Sequence, residues 1–285
     1  MAKDYLNIAG RTAIVTGGAS GIGKGVSEGL AEFGVKVAVC DLQDDIGKET
    51  VAEILKNGGT ARYYHCDVSD SSEVDAVVKQ IADDFGSVDI LFNNAGIGDK
   101  NTNVEDMSDE QWERMMKVDL DGVFYVTRAV IPYMKKNQWG KIINNSSGSG
   151  VIGVEYISHY GAAKAGVIGF TQSVAKEVAK EHITVNVIAT PTTVTPQFIE
   201  ADYEELPFIQ WDGLLIRKIS QIWFCSLRLT EQNILQVRLL LQMVEDEHLY
   251  KRRKVWYNDM EKWCESRICS WIRCGWRDHL EKQGI

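Results

Sequence analysis

The chain has 285 residues, 45% hydrophobic and 25% charged, with a net charge of −9. That is the make-up of a soluble globular protein with one large domain or two small ones, and the negative balance speaks against a general nucleic-acid binder. No apolar run approaches the roughly 20 residues that span a bilayer, the first ten residues lack the apolar core of a signal peptide, and six scattered cysteines form no framework, which points to reduced thiols and a cytoplasmic location.

Residues 12–16, TAIVT, read as a short buried strand. Gly17, Gly21 and Gly23 follow in the run GGASGIG, and an apolar helical pattern continues to about Phe33. Strand, glycine-rich turn and helix form the setting in which such a motif holds a nucleotide. The glycines let the backbone approach a pyrophosphate, and the helix N-terminus offers amide donors. Residues 35–40 are the next strand, ending at Asp41, 18 residues beyond Gly23. An acid at that spacing accepts hydrogen bonds from the adenosine ribose and repels a 2′-phosphate, which favours NAD over NADP.

The alternation continues with a helix at 45–56, a strand at 61–66 ending at Asp67 and Val68, and a helix at 71–85. A strand at 89–92 runs into Asn93-Asn94-Ala95-Gly96, and a long helical pattern covers 110–136. A strand at 141–145, a helix at 159–181 and a sixth strand at 183–188 follow. This order predicts an α/β fold, a Rossmann-like doubly wound parallel sheet with helices on both faces. Ligands of such sheets bind beyond the carboxyl ends of the strands. Gly17, Asp41, Asp67, Asn93 and Ser147 all fall at such ends.

Residues 147–164, SGSGVIGVEYISHYGAAK, carry the chemistry. If Tyr160 begins a helix, Lys164 lies one turn on and on the same face. An ammonium there lowers the cost of a tyrosinate, so the phenol can exchange a proton with an alcohol or carbonyl. Ser147, thirteen residues before the tyrosine, supplies a hydroxyl for the same substrate oxygen.

Residues 8 to about 196 resemble the short-chain dehydrogenase/reductase (SDR) family. The likeness rests on Thr16-Gly17-x-x-x-Gly21-Ile22-Gly23, Asp67-Val68, Asn93-Asn94-Ala95-Gly96, Ser147, Tyr160-x-x-x-Lys164, and Asn186 with Thr195. It implies hydride transfer between a nicotinamide cofactor, here NAD, and a secondary alcohol or ketone. Tyr160 would be the general acid/base, Ser147 would orient the substrate oxygen, and Lys164 would lower the tyrosine pKa and bind the nicotinamide ribose. Gly17, Gly21 and Gly23 would form the cofactor turn, with Ile22 beneath the pyrophosphate and Asp41 on the adenosine ribose. Asp67 and Val68 would contact adenine. Asn93, Asn94 and the loop after them would pass along the cofactor, and Thr195 would touch the carboxamide or the phosphates. Family habit also implies a homodimer built on the helices near 110–136 and 158–181.

Two departures stand out. Where the family has an asparagine that holds a water in the proton relay, this chain has Asp119, within Val118-Asp119-Leu120-Asp121-Gly122. An ionised carboxylate accepts hydrogen bonds but cannot donate them, so Asp119 is expected to pair with Lys164 and give reduced or pH-shifted activity. The second departure is Ala189-Thr190-Pro191-Thr192, which lacks the family's glycine.

The likeness stops after about Phe198, which divides the chain into an NAD-binding catalytic domain, 1–198, and an atypical helical region, 199–285. Residues 201–285 hold three of the 25 glycines but six of the eight tryptophans. Three readings stand side by side: a diverged helical cap with helices at 234–243 and 257–272, an appended module, or a tail read out of frame. A one-base shift of the codons behind residues 271–277 permits Gly-x-Asp-Val-Asp-Gly-Gly, near the family's ending, and reading the gene in all frames tests the third reading: no dehydrogenase-like ending in either alternative frame would sink it. The basic run at 251–254 reads as a solvated face. Cys264, Cys269 and Cys274 lack metal-site spacing, so no metal is expected. His159 reads as a surface or substrate-edge residue. Val151, Val154, Glu155 and Tyr156 are expected to line the substrate pocket. The alternative function is a catalytically impaired protein that keeps the nucleotide scaffold and acts by binding.

Overall fold

The computed structural model describes residues 7–190. Thr195, the Pro191-Thr192 turn, the division near residue 198 and the tail helices lie outside the described residues. Six strands form one sheet: β1 (Thr12–Thr16), β2 (Lys36–Asp41), β3 (Thr60–His65), β4 (Ile90–Asn93), β5 (Gly140–Ser147) and β6 (Ile183–Thr190). Their order is β3-β2-β1-β4-β5-β6, and every neighbouring pair is parallel. The chain leaves β1 toward β2 and β3, then returns to the other side of β1 for β4. A crevice opens where that order reverses, at the carboxyl ends of β1 and β4.

The helices are α1 (Gly21–Glu32), α2 (Asp44–Lys56), α3 (Ser71–Phe85), α4 (Asp109–Met116), α5 (Gly122–Asn137), the single turn α6 (Ser149–Ile152) and α7 (Ser158–Val178). Strand alternation sorts the core into two layers. Ile14, Leu91 and Ile142 pack with Val74 and Val78 of α3, Val126 and Val130 of α5, and Val174 of α7. Val15, Phe92 and Ile143 pack on the opposite face with Val26 and Leu30 of α1 and Ile54 of α2. Each fully buried aliphatic side chain contributes about 1.5–3 kcal/mol relative to exposure. β1 is buried along its whole length, which explains why its sequence is an unbroken apolar and β-branched run rather than an alternating one.

Local signals set several helix starts. The Asp70 carboxylate caps α3, accepting from the backbone N–H groups of Ser72 at 2.8 Å and Glu73 at 3.1 Å. Ser108 and Gln111 form a reciprocal capping box at α4.

The expected long helical run at 110–136 is present, with one refinement: α4 passes through a π-helical turn, Lys117–Asp121, directly into α5. A π turn keeps each residue helical while adding one to the turn, so the helix continues but the residues after it are shifted by one position around its axis. Asp119 lies in that turn and is completely buried.

Candidate functional site

The glycine-rich turn sits at the carboxyl end of β1. Gly17 and Gly21 adopt left-handed backbone with φ of 60° and 52°, a conformation that disfavours side chains. Gly23 is constrained by contact instead: a Cβ there would come within 1.9 Å of the Gly17 carbonyl oxygen. Ile22 packs partly against the α1-side core and so anchors the turn to the sheet. Asn94 fastens the turn from β4. Its backbone N–H donates to Thr16 Oγ1 at 2.9 Å, and its Nδ2 donates to the carbonyls of Thr16 at 3.2 Å and Gly17 at 3.1 Å.

Asp41 closes the other side of the turn. Its carboxylate accepts from the Ala19 N–H at 3.0 Å and the Gln43 N–H at 3.1 Å. Asp67, two residues past β3, opens a tight turn, its carboxylate accepting from Ser69 N–H at 2.8 Å. Val68 is buried against the start of α5, where a Cβ on Gly122 would lie 2.9 Å from its side chain.

Asn93 departs from its expected place along the cofactor. It is 2% exposed, and its Nδ2 donates to Thr127 Oγ1 at 3.0 Å and Asn144 Oδ1 at 2.8 Å. Asn144 donates onward to Thr171 at 2.8 Å. These polar groups satisfy one another inside the core, so Asn93 ties β4 to β5 and their covering helices.

The second half of the site lies where β5 meets α7. Ser147 is the last residue of β5. Its Oγ accepts from the Ser149 N–H at 3.2 Å and lies 3.3 Å from the Ser149 hydroxyl. The turn beyond it presses on the first turns of α7. A Cβ on Gly150 would lie 2.6 Å from the Lys164 backbone, and one on Gly161 would lie 3.2 Å from the Ser149 carbonyl oxygen. Ser146 Oγ donates to the Lys164 carbonyl at 2.8 Å. Small residues and one hydroxyl thus hold the serine turn against the helix that carries Tyr160.

Lys164 is 4% exposed. Its Nζ lies 2.9 Å from Asp119 Oδ2, 3.4 Å from the Asn145 carbonyl oxygen and 5.5 Å from the centre of the Tyr160 ring. Asp119 Oδ1 accepts the Ile97 N–H at 2.8 Å. Gly96 leaves room for that carboxylate, since a Cβ there would fall 2.8 Å from Oδ2. Burial alone would push the Lys164 ammonium down. The charges of Asp119 and Tyr160 and the polar contact with Asp119 outweigh it, and the group is raised above its ordinary 10.5. The ammonium therefore stays protonated at neutral pH.

One expectation changes here. His159 is completely buried rather than at a surface, because its place just before Tyr160 on α7 turns it inward; its Nε2 lies 3.6 Å from the Asp99 carboxylate. Val151, Val154 and Tyr156 are exposed in the segment between β5 and α7, and the Tyr156 carbonyl accepts the Thr102 N–H at 2.8 Å. The π turn behind Asp119 and the role of Asn145 had no local sequence signal. Among the described residues no group of His, Cys, Asp and Glu is arranged to hold a metal ion, and no helix is long and apolar enough to cross a membrane.

The family model for short chain dehydrogenases matches residues 11–205. A 3-oxoacyl-(acyl-carrier-protein) reductase of Synechocystis is 41% identical over 199 residues, covering 70% of this chain and 78% of the relative. A D-beta-hydroxybutyrate dehydrogenase of Rhizobium meliloti is 38% identical over 188 residues, covering 65% of this chain and 72% of the relative. The solved structure of an NAD+-bound xylitol dehydrogenase superposes with a TM-score of 0.71 at 27% identity, covering 79% of this chain and 96% of that one. With its glycine turn, its serine–tyrosine–lysine corner and its six parallel strands, the chain belongs to the short chain dehydrogenases, oxidoreductases that work with nicotinamide cofactors.

Proposed function

We propose that this chain is an NAD-dependent dehydrogenase that interconverts a secondary alcohol and its ketone. The observation that carries this is the buried Lys164 ammonium, paired with Asp119 and 5.5 Å from the Tyr160 ring, at the same sheet end as the glycine turn. The two relatives bear names for a 3-oxoacyl reductase and a β-hydroxybutyrate dehydrogenase, both of which denote a carbonyl or hydroxyl on a secondary carbon.

The glycine turn and Asn94 fit a dinucleotide, since the turn is kept free of side chains where Gly23 meets Gly17. Asp41, at the end of β2, reads the adenosine ribose hydroxyls and repels a 2′-phosphate, which supports NAD. Asp67 and Val68 border the adenine, and Thr195 is assigned to the carboxamide or the phosphates. When bound, the nicotinamide donates or accepts the hydride.

The protein handles the remaining proton. Tyr160 holds it at Oη and passes it to the substrate oxygen in reduction, or takes it from the alcohol in oxidation. Ser147 Oγ hydrogen-bonds the same oxygen and fixes its position. Lys164 stands beside the phenol as a fixed positive charge, and Asp119 keeps it protonated. The chain is further assigned a catalytic domain up to residue 198, a cytoplasmic site of action and a homodimer built on α4, α5 and α7.

The rival reading is a nucleotide-binding protein with little turnover. It is favoured by the same ion pair, because Asp119 engages the lysine that would otherwise serve the phenol and ribose alone. The deciding experiment is NADH binding followed by fluorescence, with NADPH as control and Asp41→Ala beside it, then a screen of hydroxy acids and ketones for turnover. NADH binding that is lost in Asp41→Ala, together with turnover, supports the enzyme. Binding without turnover favours the rival, and no binding by the folded chain overturns both.

A further inference from the structure

Asn145 stands two residues before Ser147 on β5, so the two share one face of the sheet. That is the α1 face, because Ile143, two residues earlier again, packs with Val26 and Leu30. Asn145 is half-buried, and its Nδ2 donates to Asn94 Oδ1 at 3.1 Å. Its own Oδ1 is buried and has no hydrogen-bond partner among the described residues.

The polarity of this amide pair is set by its neighbours. Asn94 Nδ2 faces two carbonyl oxygens, Thr16 at 3.2 Å and Gly17 at 3.1 Å. Carbonyls only accept, so Asn94 must turn its nitrogen to them and its oxygen to Asn145. Asn145 must then offer its nitrogen to that oxygen. Its own oxygen remains as an acceptor without a donor. Buried acceptors are nearly always satisfied.

We infer that Asn145 reads the cofactor: its side-chain oxygen accepts a hydrogen bond from the nicotinamide half of the dinucleotide, either the carboxamide nitrogen or a ribose hydroxyl. This rests on the reading above that the crevice binds NAD. The sheet order identifies the half. Asp41 ends β2 and Asp67 follows β3 by two residues, on one side of β1, whereas Asn145 lies on β5, on the other side, with Lys164 Nζ 3.4 Å from its carbonyl oxygen. The terminal torsion of asparagine is broad, so a small swing of the amide presents the oxygen to an incoming donor.

The test uses Asn145→Leu and Asn145→Val in the full chain, each checked by thermal melting. NADH, AMP and the 3-acetylpyridine analogue of NADH, which lacks the amide donor, are titrated by calorimetry. NADH should bind about three- to tenfold more weakly to both variants, the size of one neutral hydrogen bond. AMP affinity should hold, and the melting temperature should change little, because the unpaired Asn145 oxygen is removed while the Asn94 oxygen loses its donor. If the carboxamide is the donor, the parent protein prefers NADH to the analogue and the variants lose that preference. If a ribose hydroxyl is the donor, the variants weaken both dinucleotides alike. Variants that bind NADH as tightly as the parent overturn the inference and leave the NAD reading standing, and equal weakening of AMP also overturns it. A parent chain that fails to bind NADH overturns the NAD reading, and this inference falls with it.

Discussion

The two ends of the sheet each bury a carboxylate, and they use it differently. At the amino end Asp89 is 3% exposed and saturated. One oxygen accepts from the Thr12 N–H at 2.9 Å and Ser87 Oγ at 2.6 Å; the other accepts from Arg11 at 3.3 Å and Asn137 at 3.4 Å. Arg11 in turn stacks on Trp139 at 4.0 Å. At the carboxyl end Asp119 is more deeply buried yet has one amide donor and one ammonium. Burial of a charge therefore does not mark function by itself. What distinguishes Asp119 is its single mobile-proton partner, Lys164, and that partner's place beside Tyr160. Asp89 joins β1, the segment before β4 and the end of α5; Asp119 joins a helix to the candidate site.

The largest expected effect lies at the carboxyl end. Tyr160→Phe should lower turnover by about a hundredfold or more, the range for loss of a positioned acid/base, with melting temperature unchanged; steady-state rates and a melting curve check it. Gly23→Ala should come next. Its new Cβ would strike a backbone oxygen, so the turn must move, and NADH affinity should fall about tenfold or more in a fluorescence titration.

The amino end should answer in stability alone. Asp89→Ala leaves the buried Thr12 N–H without its acceptor, which should cost about 2–3 kcal/mol in urea unfolding, with turnover per folded molecule preserved. A large loss of turnover would erase the distinction between the two ends.

The subtlest effect is one of pH. Because Asp119 helps raise the folded-state pKa of Lys164 above 10.5, the pair's contribution to stability is complete below that value and is lost as pH rises through the higher folded value. Asp119→Asn removes the carboxylate, so the lysine loses its proton at lower pH. The alkaline limb of the rate profile should move toward neutrality, while turnover at neutral pH stays within about tenfold of the parent. An unmoved limb would show that Lys164 ionisation does not govern that limb.

Much of this was legible in the chain. The six strands stand within a few residues of their apolar runs, because in a buried parallel sheet the apolar run and the chain direction fix each strand; buried Asn93 and Asn144 nonetheless lie inside β4 and β5, and β5 and β6 extend two residues past the expected ends. The site residues at strand ends were legible for the same reason: in a parallel sheet, position along the chain dictates which end a residue occupies. The helical run at 110–136 was legible, but the π turn inside it was not, because residues 117–121 carry no local signal that separates a π turn from an α-helical one.

Sequence alone thus determined the α/β order, the residue types at the carboxyl ends and the spacing of Tyr160 and Lys164, because these follow from local periodicity and chain direction. Only the tertiary structure decided that the Asp119–Lys164 pair expected from the sequence is buried, that His159 turns inward and that Asn145 keeps an unpaired oxygen. Each of those depends on which helix or strand packs against which, and on donors and acceptors contributed by segments far apart in the chain.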